Sequence, residues 1–245
     1  MHWADGPSSP PSMSGEDISA RKERCLRSFV ALMAEARPGQ PLDIVEVGSW
    51  LGESAIMWHG ALRDFCAGSG RVICVDPWQP YEGKAGIGQL LDAEQTRQLN
   101  ARTAFASFQN NIERAGASDT IEVRRGESDD ILPALPAGAF DIVYIDGDHS
   151  YAQVAKDIVN AKPLVRDGGL ICGDDLEVLY NECNLPLAIK WAELGTEYVR
   201  DPETGLLFHP GVTLAVWRHF GEVSRWGLTW AMQRHGQSWR KVALA

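Results

Sequence analysis

No uninterrupted apolar run in the 245-residue chain approaches the roughly 18–20 residues that span a bilayer, so a membrane-spanning helix is not expected. Basic charge is scarce: 23 Lys and Arg stand against 33 Asp and Glu, a formal net charge of -10. That balance argues against a nucleic-acid partner, whose phosphates require clustered Lys and Arg. No two of the five cysteines, Cys25, Cys66, Cys74, Cys172 and Cys183, form a C-x-x-C pair, and their number is odd. A zinc site and a disulfide framework are therefore not expected. Reduced, buried thiols and a cytoplasmic setting are. The N-terminus lacks the basic-then-apolar order of a signal peptide. Residues 1–14, with several Pro and Ser, read as a disordered lead-in. No internal repeat is evident.

At 44% hydrophobic, the chain has enough apolar mass for one sizeable α/β domain. Ala20 to Ala36 is helical, with Leu26, Phe29, Val30 and Met33 on one face. Leu42 to Val47 is a strand apolar on both faces, as in a covered parallel sheet. A helix over Ser54–Cys66 and a strand over Arg71–Val75 follow. Trp78 to Leu91, punctuated by Pro80, Gly83, Gly86 and Gly88, reads as a loop or lid. Glu94–Ala115 is helical, Thr120–Arg124 a short strand, and Asp130–Leu135 a helical turn. Phe140–Ile145 is a strong strand, Tyr151–Leu164 a helix and Gly169–Cys172 a strand. Leu176 to His209 is a second looser region, and Val212–Trp217 reads as a last strand. The alternation predicts a doubly wound, mostly parallel sheet with helices on both faces and ligands at the C-terminal strand ends. The expected organisation is a main domain over 15–220 and a Trp-rich helical extension over 221–245, in which Val223, Trp226 and Trp230 share a helical face. Apolar surface on the N-terminal helix or the tail leaves homo-oligomerisation open.

Val45-Glu46-Val47-Gly48-Ser49-Trp50-Leu51-Gly52 has the pattern of a strand running into a tight glycine loop that opens a helix. Without side chains, Gly48 and Gly52 let a ligand approach backbone N–H groups, and the helix presents its positive end. The spacing is G-x-x-x-G, so the G-x-G-x-x-G dinucleotide fingerprint is missing, as is a P-loop. Asp76, ending the second strand, is placed to accept from ribose hydroxyls. Glu46 could meet a cationic group of the cofactor.

These residues resemble the class I S-adenosylmethionine-dependent methyltransferases over roughly residues 40–218. Glu46 to Gly52 look like their first motif and Val75-Asp76-Pro77-Trp78 like their second. The resemblance implies a Rossmann-like, mostly parallel seven-stranded sheet and S-adenosylmethionine as cofactor, bound by Glu46, Gly48, Ser49, Gly52, Ser54, Asp76, Trp78, Ser128 and Asp146. Within that set Ser128 is the candidate adenine contact, and Trp78 packs on the adenine ring or anchors a lid.

Asp146 ends one strand and Asp174-Asp175 end the next. Carboxylates gathered without a balancing Lys or Arg in the same motifs are electrostatically costly. A hard divalent cation removes that cost, and beside a substrate hydroxyl it lowers the oxygen's pKa. Ile145-Asp146-Gly147-Asp148-His149-Ser150-Tyr151 resembles the metal-dependent O-methyltransferases, and the macrolide- and aminocoumarin-sugar group more than the catechol group. That similarity implies Asp146, Asp174 and Asp175 as ligands of Mg²⁺ or another divalent cation. In catechol-type members a lysine three residues past the first metal aspartate is the base, and His149 stands there. In the sugar group the aspartate itself is the proposed base, so Asp146 and His149 both remain candidates. Asp148 reads as a helix cap. His209-Pro210-Gly211 reads as a turn or a substrate contact. Trp191, Tyr180 and Tyr81 are acceptor-facing aromatics or packing residues.

The expected function is methyl transfer from S-adenosylmethionine to a hydroxyl of a small molecule, a sugar or a glycosylated natural product, with Mg²⁺ assistance. The alternatives are a metal-independent N- or O-methyltransferase, a non-catalytic cofactor-binding subunit, and another reaction on the same scaffold.

Overall fold

The computed structural model describes residues 15–79 and 103–244. Helix α1 (Gly15–Ala36) precedes β1 (Leu42–Val47), α2 (Glu53–Cys66) and β2 (Gly70–Asp76). Then come α3 (Ala104–Arg114), β3 (Ile121–Arg125), the short α4 (Ser128–Ile131) with a 3₁₀ turn over Leu132–Ala134, and β4 (Phe140–Ile145). Helix α5 (Tyr151–Ala161), β5 (Val165–Gly173) and α6 (Leu185–Glu193) lead to a small two-stranded sheet of β6 (Val199–Arg200) and β7 (Leu207–Phe208). Helix α7 (Pro210–Phe220) and strands β8 (Ser224–Trp226), β9 (Thr229–His235) and β10 (Ser238–Lys241) complete the chain.

The main sheet runs β10-β9-β5-β4-β1-β2-β3, with β8 pairing off the path against β9. Strands β5, β4, β1, β2 and β3 are parallel, and β9 and β10 are antiparallel additions at one edge. The expected mostly parallel sheet with helices on both faces is therefore present. Strand side chains alternate between two cores. Leu42, Ile44, Ile142 and Tyr144 pack with α1, α2 and α3. Val45, Val47, Val143 and Ile145 pack with α5 and α7. Burial on both faces is why these strands read as continuous apolar runs. The α1 stripe of Leu26, Phe29, Val30 and Met33 is fully buried, each side chain contributing roughly 1.5–3 kcal/mol over exposure. Strand order reverses between β1 and β4, which opens a crevice at their C-terminal ends, where ligands of such sheets bind.

Two expectations fail. The last strand over Val212–Trp217 is part of helix α7. Pro210 occupies its first turn, where a missing N–H costs nothing, and Val212 through Val216 are buried on every side. An apolar run covered all round has no readable period. The helical extension over 221–245 is instead three strands. β9 pairs with β5 and β10 folds back on β9, turning at Gly236 with φ +60°. The helical spacing of Val223, Trp226 and Trp230 is coincidental. Trp230 is buried against Phe220, and Trp226 meets Phe29 edge-on at 5.7 Å. The boundary at 220 therefore cuts through one sheet and its core. The lead-in over 1–14, Tyr81, most of the Trp78–Leu91 loop and the first part of the helix expected from Glu94 lie outside the described residues.

Candidate active site

The glycine loop leaves β1 at Gly48 with φ +86°. A Cβ there would lie 2.0 Å from the carbonyl oxygen of Asp146, so the ends of β1 and β4 touch backbone to backbone. Gly48 N–H donates to Val75 O at 2.9 Å and Asp146 N–H to Val47 O at 2.8 Å. Gly52 precedes α2 with φ +88°. Asp76 organises the loop: Oδ2 accepts from Trp50 N–H at 2.9 Å and Oδ1 from Trp78 N–H at 2.6 Å. Burial raises its pKa, with those amides opposing.

Glu46 is wholly buried beneath the loop, and burial raises its pKa, partly offset by the Ser49 and Ser54 hydroxyls beside it. Even so, Glu46 Oε1 and Ser49 Oγ lack partners of hydrogen-bonding geometry. Buried polar atoms without partners are costly, and a polar, cationic ligand group above them would satisfy both. That orphaned pair, beside a loop that only glycine can make, fits the amino-acid end of S-adenosylmethionine.

Two of the expected cofactor contacts are engaged within the protein. Trp78 is buried in the core between Phe105 and Phe108, with ring centroids at 4.9 and 4.8 Å, and its Nε1 donates to Trp50 O at 2.6 Å. It braces the loop from below rather than offering a face to adenine. Ser128 Oγ donates to Asp157 Oδ1 at 2.6 Å, on the α5 side of the sheet.

The acids lie at the adjoining strand ends. The Lys22 ammonium, from α1, lies between two of them, 2.7 Å from Asp146 Oδ2 and 3.0 Å from Asp174 Oδ2. Asp146 Oδ2 also accepts from Tyr144 OH at 3.2 Å, and Asp174 Oδ1 from Thr229 Oγ1 at 3.0 Å. Burial would lower the Lys22 pKa, but the two carboxylates outweigh it and raise it. Burial raises Asp174 to about 6, with Lys22 opposing.

Asp175 turns the other way, with φ +57°. Its Oδ2 is 3.0 Å from His149 Nε2, which lies 3.9 Å from Asp146 Oδ1. Burial works against the ionised form of both partners, yet the pairing prevails: Asp175 is held well below the usual carboxylate range and His149 well above the usual imidazole range. His209 stacks edge-on against His149 at 4.5 Å, and its Nδ1 is 2.8 Å from Glu177 Oε1. His149, Asp175 and His209 have ligand atoms all within 4.8 Å of one another. The structure thus draws Asp146 and Asp174 onto one ammonium and turns Asp175 to the histidines. Asp148 Oδ1 accepts from the N–H of Ser150, the N-cap residue of α5, at 2.8 Å, and Ser150 itself makes no side-chain cap bond, so Asp148 orders the turn before the helix rather than capping it. His209 immediately precedes α7.

Lys22, Glu177 and Glu197, whose Oε1 is 3.9 Å from His149 Nδ1, were not found from sequence. Lys22 had a usable signal: it sits four residues before Leu26 on the apolar stripe, and a cation on such a face needs a partner. Glu177 and Glu197 lie in the loosely patterned region and had none. Tyr180 stacks on Trp217 at 5.1 Å, and Trp191 packs edge-on to Phe208 at 6.4 Å.

Residues 45–176 match a family described as "Methyltransferase domain". The chain is 26% identical over 178 residues to the 8-demethyl-8-(2,3-dimethoxy-alpha-L-rhamnosyl)-tetracenomycin-C 4'-O-methyltransferase of Streptomyces olivaceus, covering 71% of this chain and 66% of that protein. It is 46% identical over 152 residues to a catechol O-methyltransferase of Niastella koreensis, covering 60% of this chain and 54% of that one. The chain thus spans between half and two thirds of these relatives' length. The solved structure of the O-methyltransferase NovP superposes with a TM-score of 0.55 at 19% identity, over 88% of this chain and 80% of that one, a likeness of fold.

Proposed function

The chain belongs to the methyltransferase-domain family, and on that premise we propose that it is an S-adenosylmethionine-dependent O-methyltransferase acting on a hydroxyl of a small molecule. The observation that carries this reading is the meeting of the Gly48 loop and the Asp146 strand end, backbone against backbone, at the sheet's crevice. The loop and Asp76 hold the cofactor. The acid–histidine cluster beside it receives the acceptor hydroxyl.

In the transfer, the acceptor oxygen attacks the methyl carbon in line with the carbon–sulfur bond. The C–O bond forms, the C–S bond breaks, and S-adenosylhomocysteine leaves. The hydroxyl proton goes to a carboxylate. Asp146 is the proton acceptor through Oδ1, because Oδ2 is engaged by Lys22 and Tyr144; the carboxylates of Asp175 and Asp146 raise the pKa of His149 against burial, which favours it as a donor. His149 donates to the acceptor and orients it, and Asp175 fixes the ring. Positioning and proton removal supply most of the acceleration.

Asp146 and Asp174, with Asp175 adjacent, are hard oxygen donors of the kind Mg²⁺ takes one or two of, alongside water and substrate oxygens. Such an ion would acidify the acceptor hydroxyl. A second reading, transfer without metal, is favoured by Lys22, which already supplies positive charge to the same pair. For the acceptor class we favour a sugar hydroxyl, supported by the rhamnosyl-bearing substrate in the name of the Streptomyces relative. The catechol relative defines the competing acceptor.

The test is incubation with S-adenosylmethionine and two acceptor panels, glycosylated polyketides and catechols, with and without chelator. S-adenosylhomocysteine and methylated product are quantified by mass spectrometry. Product from the glycosides supports the full reading. Absence of both cofactor binding and product from either panel refutes methyl transfer.

A further inference from the structure

The cation that balances the acid pair comes from outside every motif around the site. Lys22 lies on α1, 124 residues from Asp146 in sequence. Its ammonium contacts Oδ2 of both Asp146 and Asp174 and lies 5.5 Å from the centre of the Tyr144 ring. A hard cation held by this pair would need those carboxylate oxygens. A metal ion bridging the same two oxygens would be in contact with the like charge of the ammonium, so the two compete for that position.

Tyr144 OH shares Asp146 Oδ2 with Lys22, Thr229 Oγ1 uses Asp174 Oδ1, and Asp175 faces His149, so the two Oδ2 atoms that face each other across the pair are the ones Lys22 holds. Helix α1 is anchored by Leu26, Phe29, Val30 and Met33 in the core, so the helix does not have to move. The Lys22 side chain does, and its four-carbon stem allows the ammonium to swing out while the backbone stays in place.

We propose that the Lys22 ammonium and a divalent cation are alternative occupants of the Asp146–Asp174 carboxylate pair, so that α1 supplies the resident cation of the site and metal enters only when Lys22 leaves. This rests on the reading of Asp146 and Asp174 as the cation's ligands. It makes Lys22 a positioning residue that sets the metal requirement: the chain holds its acids in place without metal, and the affinity for metal is reduced by what it takes to displace the lysine.

The test is a calorimetric titration of Mg²⁺ and of Mn²⁺ into protein with S-adenosylhomocysteine bound, comparing the wild type with Lys22→Met and Lys22→Arg. No turnover is read. Lys22→Met keeps the apolar stem and removes the charge, and it should bind either cation at least tenfold more tightly. Lys22→Arg should remain as weak as the wild type, and Asp174→Asn in the Lys22→Met background should abolish the gain. Equal cation affinities for wild type and Lys22→Met, including no binding by either, overturn the proposal. So does a gain that survives Asp174→Asn. Lys22→Gln replaces Lys22→Met if the latter does not fold.

The wild type gives an independent readout. Saturating Mg²⁺ should expose the Lys22 amine to an acylating reagent, located by peptide mass mapping, and unchanged protection overturns the exchange. The two readings fail separately. Loss of S-adenosylhomocysteine binding counts against methyl transfer, whereas normal cofactor binding with identical cation affinities counts against the exchange alone.

Discussion

Replacing Gly48 by alanine tests the contact on which the site reading depends. The residue has φ +86°, where an L side chain costs about 1–2 kcal/mol. The larger problem is steric. The new Cβ would fall 2.0 Å from Asp146 O, 2.5 Å from its carbonyl carbon and 2.6 Å from Gly147 Cα. All three are backbone atoms, so no side chain can rotate out of the way. The ends of β1 and β4 must separate by more than an ångström. That breaks the Asp146 N–H···O=C Val47 bond of 2.8 Å and leaves buried polar groups unpaired, at about 1–3 kcal/mol. Together the losses come to about 2–5 kcal/mol. For a domain of this size that lowers Tm by roughly 4–20 °C, and it should abolish S-adenosylhomocysteine binding because the loop is displaced. Gly39→Ala is the control. It has φ +71° but nothing within 4 Å of its Cβ, so it bears the conformational cost alone. Calorimetric melting and cofactor titration of both variants decide the matter. If Gly48→Ala melts within a couple of degrees of Gly39→Ala and binds the cofactor normally, the close approach of β1 and β4 is not what shapes the site.

Two further outcomes follow from other parts of the molecule. Burial raises Asp157 to about 6 despite hydrogen bonds from Ser128 and Gln153, so the folded state holds a proton there that the unfolded chain, at about 3.9, has released. Stability from this group is therefore greatest below about pH 4 and is lost as pH rises through 6. Asp157→Asn should gain on the wild type across that interval, by at most about 3 kcal/mol, and a Tm difference that does not change with pH refutes the assignment. Trp230 is buried where β9 joins β5, so Trp230→Ala should cost about 3–5 kcal/mol in urea unfolding. A loss under about 1 kcal/mol would mean that the tail is a detachable extension after all.

Much of the candidate site was readable along the chain because its parts are local. The Gly48 loop, Asp76 and the acids at 146, 174 and 175 each sit at a strand end, where a turn residue and an apolar run mark the place. The parallel strands announced themselves because both their faces are buried, and a run apolar on every side bounded by Gly or Asp has few other solutions. The same property misled the reading at Val212–Val216: once all faces are covered, strand and helix leave the same trace, and only packing against α5 decided for α7. The tail failed for a related reason. Trp226 and Trp230 fit a helical stripe by spacing, but β5 offered an open edge, and the backbone hydrogen bonds of that edge settled the matter.

The sequence by itself determined which chemical groups stand at the ends of which strands, because strand, turn and helix are written within a few residues of one another. Only the tertiary structure decided how those groups are charged. It brought Lys22 from α1 to Asp146 and Asp174, set His149 against Asp175, and turned Trp78 into the core. Charge balance in a buried site is a property of distance in space. No pattern along the chain shows which ammonium will come to rest between two acids 28 residues apart in sequence, and at contact distance that neighbour decides which proton or metal ion the acids can hold.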